Sequence, residues 1–103
     1  MDVALKGYLD PLVLAVLDDA PLHGYAVIEE LKARSGGELD LPEGTVYPAL
    51  HRLERRGLLR SGWTTGEGRR RRVYRLTASG RRELVSSSRE WRAFVRVVDG
   101  VLA

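Results

Sequence analysis

The sequence predicts a mainly α-helical fold with a small β-hairpin, in the form of a winged helix-turn-helix followed by one long helix. Residues 42–56 carry apolar side chains at helical spacing on one side and arginines on the other. Two β-prone segments then flank a glycine-containing turn between residues 58 and 76, and from residue 77 onward apolar residues repeat every seven positions. We therefore expect a winged helix-turn-helix domain over residues 1–76 and a C-terminal dimerisation helix over residues 77–103.

Composition limits the class of protein. The chain has 103 residues, 44% hydrophobic and 30% charged, which suits one folded domain with a modest core. The absence of cysteine excludes disulfides and thiolate metal sites. No apolar run is long enough to cross a bilayer, and the N-terminus lacks the basic-then-apolar pattern of an export signal. We therefore expect a cytoplasmic protein with no membrane partner.

The net charge of +3 conceals a strong asymmetry along the chain. Residues 1–42 have a net charge of −5, whereas residues 43–75 hold nine arginines against three carboxylates, which is a net charge of +6. Such a concentration of positive charge beside one predicted helix indicates a polyanionic partner such as a nucleic acid. A solvated charged face is the alternative.

The first helix is expected between residues 5 and 20, where leucine and valine side chains form one stripe that predicts packing in the core. Pro11 interrupts this stripe. Either the helix begins there, with Asp10 as N-cap and Pro11 at the first helical position, or an upstream turn joins the helix with a kink.

A turn over residues 21–24 leads into the second helix, which is expected from about His23 to Ser35. His23 has no second histidine nearby, so we favour a capping role over metal binding and expect no metal site. Tyr25, close to the N-terminus of this helix, is a candidate contact for a DNA phosphate. The alternative is a packed tyrosine with its hydroxyl group in water.

The third helix is predicted over residues 42–56, with Gly57 as its stop because glycine reaches left-handed backbone angles without penalty. Val46, Leu50 and Leu53 form its apolar side. A short helix with a polar, cationic opposite side fits the DNA major groove, so we interpret it as a recognition helix. The candidate DNA contacts on that side are Thr45, Tyr47, Pro48, His51, Arg52 and Arg55.

The hairpin is predicted from a strand that begins at Leu58 and ends near Thr65, a turn over residues 65–68, and a second strand from Arg70 to Leu76. Directly after a recognition helix, arginines at the hairpin tip are expected to lie along DNA phosphates or to enter a narrow minor groove. A solvated loop is the alternative. The tip arginines are Arg69, Arg70, Arg71 and Arg72.

The last helix is expected to begin after Thr77 as N-cap and to end near Val101. Its apolar stripe either packs on the first helix of the same chain or, as we favour, on a second subunit. The candidate interface residues are Leu84, Trp91, Phe94, Val95, Val98 and Val101. For Trp91 we favour ordinary interface core, and the alternative is that two copies of Trp91 at a two-fold seam form a slot for a flat aromatic effector.

These residues resemble the PadR family of bacterial transcriptional regulators. The matching runs are Gly7–Asp10, Pro21–Tyr25, Gly44–Leu50, Arg52–Leu58 and Tyr74–Gly80. The resemblance implies a homodimeric winged helix-turn-helix that represses transcription at a palindromic operator, with the C-terminal helix in the dimer interface. The sequence is similar to the shorter members, which have a single C-terminal helix. Position by position, the family's DNA-facing motif falls on Tyr25, Thr45, Tyr47 and Pro48.

The function that we expect is therefore sequence-specific binding of double-stranded DNA by a homodimeric repressor that a small aromatic ligand releases. Base contacts are expected from the recognition helix. Phosphate contacts are expected from the hairpin, which forms the wing of a winged helix-turn-helix. The alternative is a winged-helix module that binds a protein partner or senses a ligand without binding DNA. We expect neither an enzyme nor a cofactor, since the chain has no nucleophile motif and no phosphate-binding glycine loop.

Overall fold

The computed structural model describes residues 7–103 of the chain. The described elements are α1 (Leu9–Asp19), β1 (Leu22–His23), α2 (Gly24–Arg34), α3 (Glu43–Arg55), β2 (Leu59–Gly66), β3 (Arg69–Leu76) and α4 (Ala78–Leu102). The strands form one antiparallel sheet in the order β1-β3-β2. The predicted mainly α-helical winged helix-turn-helix with a C-terminal helix is confirmed. No helix in the described part is long and apolar enough to cross a membrane.

The core lies where α1, α2 and α3 meet the base of the sheet. Val13 of α1, Val27 of α2 and Leu50 of α3 are all completely buried. Val46 and Leu53, which the sequence placed on the same side of α3 as Leu50, are completely buried as well. Burying a side chain of this size contributes about 1.5–3 kcal/mol, so the apolar side of α3 is a main source of stability.

The start of α1 differs from the prediction. Tyr8 is the N-cap, so Asp10 and Pro11 occupy the second and third helical positions, and of the two alternatives the one with Asp10 as N-cap is wrong. Pro11 fits there because backbone N–H groups of the first turn have no intrahelical acceptor, so its missing N–H costs nothing. Leu5, the first member of the predicted stripe, lies outside the described residues.

The turn predicted over residues 21–24 contains a short strand. Leu22 pairs with Tyr74 and His23 pairs with Val73, which adds a third strand to the predicted hairpin. The capping role of His23 is confirmed, because its Nδ1 accepts a hydrogen bond from the backbone N–H of Ala26 at 3.2 Å.

The hairpin follows α3 closely. Gly57, the predicted stop of α3, adopts a φ of +76°. The strands are joined by a two-residue turn, Glu67 and Gly68, whose φ angles of 52° and 76° are both positive. Positive angles at both central positions match the right-handed twist of the flanking strands. The turn therefore closes a regular hairpin, in which residues 62–72 are all exposed.

Thr77 begins α4 as predicted. Its Oγ1 accepts a hydrogen bond from the Gly80 backbone N–H at 3.0 Å and donates one to the Gly57 carbonyl at 2.8 Å. Gly80 is buried, and a Cβ atom there would lie 2.1 Å from the carbonyl oxygen of Leu58. The first turn of α4 is thus fixed against the end of α3, and its 25 residues extend about 38 Å from that point.

Candidate nucleic-acid interface

The outward side of α3 carries the predicted DNA-contact residues. Pro48, His51 and Arg55 are exposed, while Thr45 and Tyr47 are half-buried. They share one side of the helix because the opposite side packs in the core. The structure therefore brings the α3 candidates together, and they remain candidates for reading base edges.

Tyr47 lies against the N-terminus of α2. A Cβ atom added to Gly24 would be 2.5 Å from Cε1 of the Tyr47 ring, so only glycine allows the ring to lie there. The next residue, Tyr25, is 53% exposed. The N-terminus of α2 thus meets α3 at the outward surface, and Tyr25 keeps enough exposure to contact a phosphate.

Arg52 is not a free side chain, because it forms an ion pair with Asp10. Its Nη2 lies 2.6 Å from Oδ1 of Asp10 and its Nε lies 3.3 Å from Oδ2, a two-point ion pair with α1. The hydrogen bonds that Arg52 donates to Asp10 raise the pKa of Arg52 above its ordinary value. Arg56 extends the cluster, with nitrogens 3.8 Å from Asp10 and 3.9 Å from Glu83 of α4. Asp10 thus occupies the Nε–Nη2 edge of the Arg52 guanidinium, and a base contact through that edge would compete with Asp10.

The strand register divides the wing arginines between two sides of the hairpin. Arg70 and Arg72 lie opposite Thr65 and Trp63, on the side that continues from buried Tyr74. We call this the Trp63 side. Arg69 and Arg71 lie on the other side, which we call the outer side. Arg60 and Arg75, which pair with each other across β2 and β3, lie on the outer side as well. The outer-side arginines are Arg60, Arg69, Arg71 and Arg75.

Arg71 has an incomplete set of partners. Its Nη1 lies 3.0 Å from Nε2 of His23, whose Nδ1 already accepts the bond from Ala26. A neutral imidazole has one acceptor nitrogen, so the helix cap and the Arg71 contact cannot both be hydrogen bonds. The Arg71 guanidinium is therefore weakly held and can turn towards an anion.

Sequence reasoning missed three parts of this surface. Arg60 and Arg75 were not predicted to join the wing arginines, although Arg75 is an even number of residues from Arg69 and Arg71 on the same strand, which indicates a shared side. Trp63 was not predicted to contact arginines. The pairing of Asp10 with Arg52 spans 42 positions, and no local pattern indicates it.

The apolar stripe of α4 is covered only near its beginning. Leu84 packs against the core, and the Trp91 ring meets the Tyr8 ring edge-on at a centroid distance of 4.7 Å. Further along, Phe94 is 52% and Val101 80% exposed. Two further candidate interface residues, Val95 and Val98, are half-buried. Within the chain, α1 therefore covers the first part of the stripe, and the second part faces outward.

A groove of about 470 Å³ lies between α1, α4 and the segment after α2. Its lining is largely apolar and includes Leu12, Leu39, Leu84 and Trp91. Arg92 also lines it. Trp91 thus lines a groove inside one chain, which was not predicted, while its predicted position at a two-fold seam stays a prediction.

Comparison with known proteins agrees with this geometry. The Transcriptional regulator PadR-like family matches residues 13–86. The transcriptional regulator Rv3488 of Mycobacterium tuberculosis is 43% identical over 82 residues, which cover 80% of this chain and 74% of that protein. A PadR family transcriptional regulator from Eggerthella lenta superposes with a TM-score of 0.84 at 35% identity, over 99% of this chain and 88% of that one.

A transcriptional regulator from Clostridium thermocellum superposes with a TM-score of 0.87 at 28% identity, over 96% of both chains. The similarity therefore includes α4 as well as the winged helix-turn-helix. Because a family match over most of the chain, a close relative and whole-length structural neighbours agree, the chain belongs to the PadR-like family of transcriptional regulators, which implies regulation through DNA binding.

Proposed function

We propose that this protein is a homodimeric repressor that binds a palindromic operator through α3 and the wing. One observation carries the proposal: the polar side of α3 lies beside a hairpin, residues 59–76, that holds six arginines and one glutamate. A helix with that exposure fits a major groove, and a basic hairpin next to it can follow the adjoining phosphates.

The roles of the residues follow from their exposure and charge. Thr45, Tyr47 and His51 are suited to base edges, because they combine hydrogen-bonding groups with a fixed position on α3. Tyr25 and the wing arginines are suited to phosphates, which provide most of the affinity and no sequence information. Arg52 is a candidate base reader as well, and a base contact through its Nε–Nη2 edge would compete with Asp10.

The exposed part of α4 supports the dimer. Phe94, Val101 and Leu102 are each more than half exposed, which is costly for a helix that stands alone in water. A second copy of the same helix would cover this surface and bury it symmetrically. Two recognition helices would then address half-sites about one turn of DNA apart, so the operator would be an inverted repeat.

The groove at Trp91 supports a small effector. Its volume of about 470 Å³ lies in the range of ligand sites, and its apolar lining suits a flat aromatic compound. Planar aromatic compounds should quench tryptophan fluorescence in the wild type and in Trp63→Phe, but not in Trp91→Leu. Quenching that persists in Trp91→Leu would exclude this site.

The function is tested by fluorescence anisotropy with two labelled duplexes across a salt series. One duplex is the region upstream of the protein's own gene, and the other is a scrambled control. A preference of about a thousandfold with a steep salt slope is expected for a specific regulator. A reporter gene behind the bound duplex should then be repressed. No binding to either duplex at low salt would overturn the proposal in favour of a protein-binding module.

A further inference from the structure

Trp63 is a large aromatic residue in an unusual place. It lies in the part of β2 that extends beyond the body of the domain, and 57% of it is exposed. The guanidinium carbons of Arg70 and Arg72 lie 4.7 Å and 5.7 Å from the centroid of its ring. Three long side chains are thus gathered on one side of the wing.

The Trp63 side adjoins the recognition helix. Arg72 Nε donates to Oγ of Ser61 at 2.8 Å, and its Nη2 lies 3.5 Å from Oε1 of Glu54 in the last turn of α3. Ser61 also donates to Glu54. These contacts hold the near end of the hairpin against α3. The Trp63 side is therefore the side of the wing that is linked directly to α3.

The chemistry of this cluster suits a DNA backbone. The π electrons of an aromatic ring attract a nearby guanidinium group, so the arginine side chain populates fewer rotamers. The N–H groups in the plane of the guanidinium stay available for phosphate oxygens. The indole supplies an apolar surface of the kind that packs against deoxyribose. Of the three side chains, Arg70 makes no ion pair within residues 7–103, so its charge is available to a phosphate.

We infer that the wing contacts the DNA backbone with its Trp63 side, where Trp63 packs on deoxyribose and positions Arg70 and Arg72 on adjacent phosphates. The outer-side arginines contribute less to the affinity, mainly through general attraction to the backbone. This inference rests on the proposed DNA-binding function and adds the orientation of the wing and a contact residue, Trp63, that the sequence did not predict.

Two double variants with the same change of charge test the orientation. Arg70→Ala with Arg72→Ala removes the Trp63-side pair, and Arg69→Ala with Arg71→Ala removes the neighbouring outer-side pair. All four side chains are exposed, so both variants should fold, which circular dichroism checks. The first variant should lose roughly tenfold more affinity than the second, and its salt slope should fall by about 1.8. Equal losses, or a greater loss in the second variant, would overturn the inference.

Tryptophan emission gives an independent measurement. Trp63→Phe leaves Trp91 as the remaining tryptophan, so the difference between the wild type and this variant reports Trp63 alone. Duplex DNA should change that difference spectrum at the same concentrations at which anisotropy shows binding. Binding without any change in the Trp63 signal would overturn the inference and leave the DNA-binding function intact. Absence of binding in the wild type would instead overturn the proposed function.

Discussion

Replacing Asp10 by asparagine will distinguish a structural role of Arg52 from a role in DNA recognition. The Arg52–Asp10 pair has two contacts, at 2.6 Å and 3.3 Å. The Arg52 side chain is 46% exposed and that of Asp10 25%, so water screens much of the attraction. A pair of this kind contributes up to about 1 kcal/mol. We expect Asp10→Asn to lower the free energy of unfolding by about that amount, which corresponds to a shift in Tm of roughly 4–8 °C.

Although Asp10→Asn should lower stability, it should strengthen operator binding. If Arg52 must leave Asp10 to reach a base, breaking the pair beforehand removes that cost from the binding equilibrium. A cost of about 1 kcal/mol corresponds to roughly fivefold tighter operator binding. Arg52→Ala should instead weaken operator binding far more than binding to a scrambled duplex, because a base contact distinguishes sequences.

Neutralising any carboxylate also favours DNA through general charge, so a matched control is needed. Asp18 is on the same helix, and its Oδ1 lies 3.3 Å from Arg81 Nε, away from α3. Asp18→Asn should change the binding of operator and scrambled duplexes by the same small factor. Anisotropy titrations and urea unfolding of Asp10→Asn, Arg52→Ala and the double variant then give the coupling energy directly.

Two outcomes would contradict this reasoning. Weaker operator binding by Asp10→Asn would mean that Asp10 holds Arg52 in the geometry that DNA requires, rather than competing with DNA for it. Equal losses on both duplexes in Arg52→Ala would remove Arg52 from the base-reading residues and leave the ion pair as a structural link between α1 and α3.

Three further changes test other parts of the structure. Gly80→Ala should destabilise the fold by about 1–3 kcal/mol in urea unfolding, because the added Cβ would lie 2.1 Å from the Leu58 carbonyl oxygen. Gly100→Ala is the control, since its Cβ would lie in open space, and it should not destabilise the fold. Burial raises the pKa of Tyr74. Its contribution to stability should therefore be constant up to about pH 10, where the unfolded tyrosine begins to ionise, and fall above it. Tyr74→Phe should reduce that fall in alkaline unfolding. Val101→Glu should convert the proposed dimer into a monomer in sedimentation equilibrium, and a dimer of unchanged affinity would remove the exposed end of α4 from the interface.

The sequence predicted the elements whose signals are local. Leu50 and its neighbours on α3 follow the helical period, and the Glu67-Gly68 turn is readable from residue type alone. It could not predict β1, because a two-residue strand exists only through its pairing with Tyr74 about fifty positions later. The division of the wing arginines also depends on the register between β2 and β3, since a slip of one residue would exchange the two sides.

The arginines that have no carboxylate partner are unevenly distributed between α3 and the hairpin. Of the nine arginines in residues 43–75, three lie within 4 Å of carboxylates, namely Arg52, Arg56 and Arg72. Among residues 7–103, the other six make no ion pair, and five of those six are on the hairpin. The positive charge that the sequence places beside the recognition helix is therefore presented mainly by the wing. Phosphate contacts depend on such charge, whereas α3 presents mostly neutral polar groups suited to base edges. Removal of wing arginines should accordingly change the salt slope, and removal of α3 side chains should change the preference between duplexes.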